Sequence, residues 1–462
     1  MNLSPLQRRR PRVPVLAAAV CLMLAGGLAL LAAGKAAASP FAADRVVVRF
    51  GARERSPAAV ATARAARAGA PAERTAVLKL RRGEGVQQAI QRLRRRSDVV
   101  WAVPDYVAHA SGSFVPDDLG GGTAPGGWQE WQWNLAGPFG IRAPEAWGNL
   151  LAAGQPGGRG VTVAVLDTGV AYANRGRFRR SPDFGRFQFV RGYDFVGHDP
   201  YPNDRNGHGT FVAGTIAEET NNRYGLAGIA YGAKIMPVRV LDTEGEGEAS
   251  TIAQGVRFAV RHGAQVINLS LEFSPGVTAS DIPELIDALR YAHRRRVLVV
   301  AAAGNEGHAA IAYPARAPDV ISVGATTVHG CLAAYSNDGS GLTLVAPGGG
   351  PDADLPGDPN CNPEAAGRDI FQVTFTGGSV KRFGIPGGYE GTSMATPHVA
   401  AVAALVIASG VLGRRPTPAQ ISARLRATAR KLGAGGDERL YGAGLVDAAA
   451  ATAPAAAGPK AG

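Results

Sequence analysis

Three side chains in this 462-residue sequence sit in contexts that could carry out acyl transfer. Ser393 lies in Gly391-Thr392-Ser393-Met394-Ala395-Thr396-Pro397-His398-Val399-Ala400, between a Gly-containing turn and an apolar, Ala-rich segment that reaches Ser409 and stops at Gly410. The pattern predicts a buried helix. Ser393 then stands at its N-terminus, where unpaired N–H groups and the helix dipole favour negative charge. An acyl-transfer nucleophile needs such donors for its oxyanion; the plainer reading is a Ser capping a core helix. His208 lies between Gly207 and Gly209 as a second helix begins, and the glycines let backbone and substrate approach closely. Asp167 follows the apolar run Val163–Leu166 and precedes Thr168-Gly169. An Asp-Thr-Gly also suits an aspartic peptidase, but that chemistry needs a second copy and the chain has none. Of the other histidines, His398 reads as packing, and His109, His198, His262, His293, His308 and His329 as surface or loop residues.

The decapeptide around Ser393 resembles the nucleophile motif of the subtilisin-like serine peptidases, the subtilases. The flanks of Asp167 and His208 resemble that family's other two motifs, in the family's chain order of Asp, His, Ser. The resemblance implies a triad. Ser393 Oγ attacks a scissile carbonyl, His208 takes its proton and returns it to the leaving amine, and Asp167 orients the imidazole. Asn305 closes Val300-Ala301-Ala302-Ala303-Gly304-Asn305. Alone it reads as a turn residue; by resemblance it is an oxyanion donor beside the Ser393 N–H. By resemblance too, an extended peptide lies between Thr243–Ser250, with Gly245 and Gly247, and Leu269–Glu272. Ser270, Leu271, Ala302, Ala303 and Gly304 would line the first specificity pocket. Glu272 stands where many relatives have Gly, and with Glu244, Glu246 and Glu248 it forms either a solvated acidic rim or a preference for Arg or Lys near the cut. Thr220, Asn222, Tyr224 and Leu226, with Asp183, resemble a family calcium loop; oxygen ligands suit a hard cation. No cofactor is expected for the chemistry, only this structural calcium.

The elements that must position these residues follow from hydrophobic pattern. Apolar runs at Val161–Leu166, Lys234–Leu241, Ala264–Ser270, Val297–Ala303 and Val320–Gly324 suit parallel strands buried on both faces. Helical spacing lies between them, from about Ser250 to Gly263 and from about Asp281 to Arg295. The alternation predicts an α/β fold, a three-layer α/β/α parallel sheet with right-handed crossovers, its site at the carboxyl ends of the strands. Gly348–Glu390, rich in Pro, Gly and Asp, reads as a surface loop. Thr417–Leu432 reads as a helix.

The N-terminus bounds the destination. Arg8, Arg9, Arg10 and Arg12, an apolar run from Val13 to Ala33, and Lys35-Ala36-Ala37-Ala38-Ser39 form a secretory signal over 1–39, with an uncleaved membrane anchor as the alternative. Residues 40–111 show strand, helix, strand, helix, strand order, a small α+β module. Before a subtilase motif this module resembles the inhibitory propeptide, cleaved near Ser111. Residues 112–127 read as an exposed linker, 128–452 as the peptidase domain and 453–462 as a disordered tail. Residues 1–39 carry +5 and residues 40–110 carry +8, leaving −1 of the chain's +12. The basic character thus belongs to segments expected to be removed, and nucleic-acid binding is not expected. Cys331 and Cys361, the cysteines outside the signal, form either a disulfide or two free buried thiols. The sequence thus predicts a secreted, monomeric serine endopeptidase made as a self-processing zymogen, acting on protein or peptide substrates and inhibited by its own propeptide. A membrane-tethered processing peptidase of narrow specificity and a non-catalytic binding scaffold are the alternatives.

Overall fold

The computed structural model describes residues 41–51, 75–81, 83–106, 114–433 and 436–454. The expected signal, the helical run Ser56–Ala68, the segment Val107–Ser111 and the tail from residue 455 lie outside the described residues. The chain divides into two compact units, Met1–Ala110 and Ser111–Gly462.

In the first unit, β1 (Phe41–Phe50), β2 (Thr75–Lys79), α1 (Val86–Arg94) and β3 (Val99–Tyr106) follow one another. The strands form an antiparallel sheet in the order β2-β1-β3, with Val48 opposite Ala76 on one side and Ala102 on the other. Val46, Val48 and Phe50 alternate inward while Arg45 and Arg49 face out. On α1, Val86, Ala89, Ile90 and Leu93 recur at helical spacing and bury one stripe. The two apolar faces share one core.

The second unit begins with a segment expected to be an exposed linker, and the structure corrects that for its described start. Phe114 packs edge-on against Trp147, and Asp118 is fully buried. The short helices α2 (Trp128–Trp131) and α3 (Trp133–Ala136) lead to α4 (Ala143–Ala152). Trp128, Trp133 and Trp147 are core residues. Then come β4 (Thr162–Asp167), β5 (Tyr193–Asp194), α5 (His208–Ala217), β6 (Lys234–Arg239), α6 (Ala249–Arg261), β7 (Val266–Leu269), α7 (Pro283–Arg294), β8 (Leu298–Ala302), β9 (Val320–Thr326) and β10 (Leu344–Pro347). A hairpin of β11 (Thr374–Thr376) and β12 (Ser379–Gly384) precedes α8 (Thr392–Ser409), α9 (Pro418–Thr428), α10 (Glu438–Tyr441) and α11 (Ala448–Thr452).

β4 to β10 form one seven-stranded parallel sheet in the order β10-β9-β8-β7-β4-β6-β5. Each apolar run serves two faces because side chains alternate along a strand. Val163 and Val165 of β4 join the core with α4, α5 and α8, while Ala164 and Leu166 join the core with α6 and α7. The fold is therefore the expected three-layer α/β/α arrangement. From β4 the chain goes to the edge strand β5, returns to β6 between them, then crosses to β7 and continues through β8 and β9 to β10 at the other edge. The strand order thus reverses around β4, and crevices open at such points beyond the carboxyl ends.

Residues 348–390 are not simply a surface loop. Ile370 and Val373 are buried, and Thr374 Oγ1 of β11 donates to Gly207 O at 2.6 Å. Cys331 and Cys361 form a disulfide that ties this segment to the region after β9. The helix α8 is apolar all round and lies in the core. It tolerates Pro397 because burying side chains such as Val399, Val402 and Leu405 contributes about 1.5–3 kcal/mol each, against roughly 3 kcal/mol for an interior proline.

Candidate active site

Asp167 is the last residue of β4 and is fully buried. Its Oδ1 accepts from Thr168 N at 2.7 Å and pairs with His208 Nδ1 at 2.8 Å. Glycine is required on both sides of His208. Gly207 has φ of 113°, a left-handed conformation that other residues avoid. A Cβ at Gly209 would strike Gly169 O and come within 3.0 Å of Asp167 Oδ1. The imidazole therefore reaches the carboxylate only because position 209 has no side chain. Burial disfavours the charged imidazole, but the Asp167 charge and hydrogen bond outweigh it, with Asp204 adding, so the His208 pKa is raised above 6.5.

Asp204 was missed from sequence. It is buried; its Oδ1 accepts from Thr168 Oγ1, Asn206 N and Gly207 N, and its Oδ2 from Thr210 N and Oγ1. It thereby builds the turn that carries His208. The pattern Asp-x-Asn-Gly before a helix is an Asx-turn signal that could have found it.

Ser393 is the second residue of α8, after Gly391, whose φ is 144°. Its carbonyl shows how the helix is docked. Pro397 has no N–H to give Ser393 O four residues back, and Ser270 Oγ donates to that oxygen instead at 2.8 Å. Ser393 Oγ in turn donates to Ser270 O at 3.2 Å. Its hydroxyl is thus directed at Ser270, just past β7, rather than hydrogen-bonded to His208.

Asn305 follows β8, held by Thr392: its Oδ1 accepts from Thr392 N at 2.8 Å and from Thr392 Oγ1 at 3.0 Å. Its Nδ2 donates to Glu272 Oε1 at 2.9 Å. Ser393, His208, Gly245, Gly247, Ser270, Leu271 and Glu272 line one cleft of about 500 Å³, together with Thr168, Asn206, Glu244 and Glu246. Asn206 joins its two sides: Oδ1 accepts from His208 N, and Nδ2 donates to Thr243 O. Ala302, Ala303 and Gly304 are buried and do not form the wall of this cleft. His398 is buried in the core, with Nδ1 on Met394 O at 2.9 Å and Nε2 against Asn134 Nδ2 at 2.7 Å. Burial lowers its pKa to about 4.

Several of the expected calcium residues meet in a second hydrogen-bonded polar cluster. Asp183 Oδ1 accepts from Asn222 Nδ2 and Oδ2 from Leu226 N. Asp118, not foreseen, accepts from Asn221 N and Asn222 N, and Glu218 Oε2 is buried without a partner. Burial raises the pKa values of Asp183, Glu218 and Asp118, and neighbouring carboxylates add to it: Asp118 and Glu219 at Asp183, Asp183 and Asp118 at Glu218, and Asp117 at Asp118. Buried oxygens with this much uncompensated negative charge fit a hard cation in donor type. Thr220 is part-buried and its hydroxyl is used within the loop; Tyr224 is exposed. Among the described residues no three acidic, His or Cys side chains converge as a metal cluster.

Comparison with known proteins identifies the family. The description "Subtilase family" matches residues 158–444. Subtilisin BL and subtilisin Savinase of Lederbergia lenta are each 40% identical over 323 residues, covering 68% of this chain and 98% of theirs. M-protease of Shouchella clausii (strain KSM-K16) is 39% identical over 320 residues, 68% of this chain and 70% of its own. The solved structure of a protease from Pseudoalteromonas arctica PAMC 21717 superposes with a TM-score of 0.59 at 31% identity, covering 73% of this chain and 99% of that one.

Proposed function

The chain belongs to the subtilase family of serine endopeptidases, and we propose from that premise that Asp167, His208 and Ser393 are its catalytic triad. The 2.8 Å contact of His208 Nδ1 with Asp167 Oδ1 in the cleft that Ser393 also lines carries the reading. A proton on Nδ1 leaves Nε2 as the base. Rotation of the Ser393 hydroxyl from Ser270 O toward that nitrogen starts the reaction, as catalytic hydrogen bonds often tighten only with substrate bound. Oγ then adds to the carbonyl carbon, and the proton passes to His208. The oxyanion takes the N–H of Ser393 and one of Asn305 Nδ2. Collapse expels the amine with the proton from His208 and leaves an acyl-enzyme, which water hydrolyses with the same base.

The substrate is a protein segment in extended form, laid between Thr243–Ser250 and Leu269–Glu272. Residues 40–111 are the inhibitory propeptide of a secreted zymogen, and residues 1–39 its signal. A structural calcium would be held by Asp183, Asp118 and the Thr220–Leu226 loop, with no part in the chemistry. N-terminal sequencing of the secreted product tests the processing. The expected start is near Gly112 for the wild type, with Ser393→Ala remaining uncut. A fully active chain that retains residues 40–111 would refute it.

A further inference from the structure

We propose that Glu272 is a positioning residue: by holding Asn305 Nδ2 at 2.9 Å, its carboxylate fixes the direction in which that amide donates. This rests on the reading of Asn305 as the oxyanion donor. The Thr392 N–H can only meet the amide oxygen, so it settles which end of Asn305 is nitrogen. That nitrogen has two hydrogens. Glu272 takes one, and the other is left for the substrate oxygen. The amide is thus gripped at both ends, and a preorganised donor is worth more than one that must turn during the reaction.

The same contact places negative charge beside the developing oxyanion. Glu272 lines the cleft with Ser393, and its Oε2 is buried without a hydrogen-bond partner. Among the described residues it has no cationic partner: the charged group that bears on it is Glu306, from the turn after Asn305. His208, Glu244 and Glu246 are the titratable groups of the same cleft, and His308 and Arg316 line the adjoining cavity with Glu306. Burial raises the Glu272 pKa, the Asn305 hydrogen bond lowers it, and Glu306 raises it. Orientation therefore favours the reaction and charge opposes it. A Gln at 272 keeps an acceptor for Asn305 and removes the charge; an Ala removes both.

The test is kcat and KM of wild type, Glu272→Gln, Glu272→Ala, Asn305→Ala and the Glu272→Ala/Asn305→Ala double variant. Rates are expressed per site titrated with a fluorophosphonate, so that misfolded protein does not count. Glu272→Ala should lower kcat about tenfold with KM unchanged, less than the ~10²–10³ that loss of the donor itself costs, a magnitude that comes from a subtilisin. In the Asn305→Ala background, where only the opposing charge of Glu272 is left to act, the same change should cause no further loss and a small gain in kcat. Glu272→Gln should match or exceed the wild-type kcat, and its advantage should grow with rising pH as the wild-type carboxyl, whose pKa burial raises, ionises. An equal tenfold loss from Glu272→Ala in both backgrounds, or a Gln variant as slow as the Ala variant, or a pH-independent ratio, would overturn the proposal while leaving the triad intact. An Asn305→Ala enzyme of undiminished kcat would remove both this proposal and the oxyanion reading.

Discussion

Replacing Asp167 by Asn tests how the buried acid works. Asp167 Oδ1 takes both the Thr168 N–H and His208 Nδ1, while Oδ2 is buried without a partner. An amide is nearly the same shape, so the fold should survive, but two things change. The carboxamide can present a donor to Nδ1, which favours the tautomer with its proton on the wrong nitrogen. The charge that raises the His208 pKa also disappears, so burial, opposed only by Asp204, pulls the pKa down. The expected loss in kcat is about 10⁴-fold, the scale seen when a triad acid is neutralised, or roughly 5 kcal/mol of barrier. His208 must be neutral to act as base, so the wild-type rate rises with pH through a value above the ordinary ~6.5. In Asp167→Asn that limb should move to lower pH. The assay is kcat/KM on a chromogenic peptide across pH, with melting temperature as a check on folding. A variant within tenfold of wild type, or one whose acid limb does not move, would refute the reasoning.

Two further outcomes concern stability. His398 has a lowered folded pKa of about 4, so the unfolded chain takes its proton first. Stability from this residue is complete above about pH 6.5 and is lost as pH falls toward 4, by roughly 3 kcal/mol; denaturation of His398→Gln across that window should show a correspondingly smaller loss. Chelation with EGTA should lower the melting temperature, and Asp183→Asn should remove that response; a melting curve indifferent to chelator would exclude a structural calcium.

The sequence made the site legible where chemistry constrains the backbone locally. Gly207 and Gly209 announce His208 because one adopts φ of 113° and the other leaves room for Asp167. The long apolar stretch announces α8 because a helix buried all round needs no polar face. The parallel sheet was readable from runs that fill two cores at once. What escaped detection was tertiary. Glu272 and Asn305 are brought together by the sheet, not by spacing, and nothing near either residue signals the other. Asp118 stands in a Gly-rich stretch that reads as linker until Asn221 and Asn222 are folded over it. β10 has four residues and β11 three, among turn-forming residues. Such strands are held by pairing and packing that no local pattern displays.

The proposed triad makes Ser393 a nucleophile activated by its fold. Intact-protein and peptide mass spectrometry after treatment with a fluorophosphonate tests it most directly. One covalent adduct on Ser393, abolished together with activity in Ser393→Ala and much slowed in His208→Ala, is the predicted result. Peptidase activity that persists in Ser393→Ala, or an unlabelled Ser393 in an active enzyme, would contradict it.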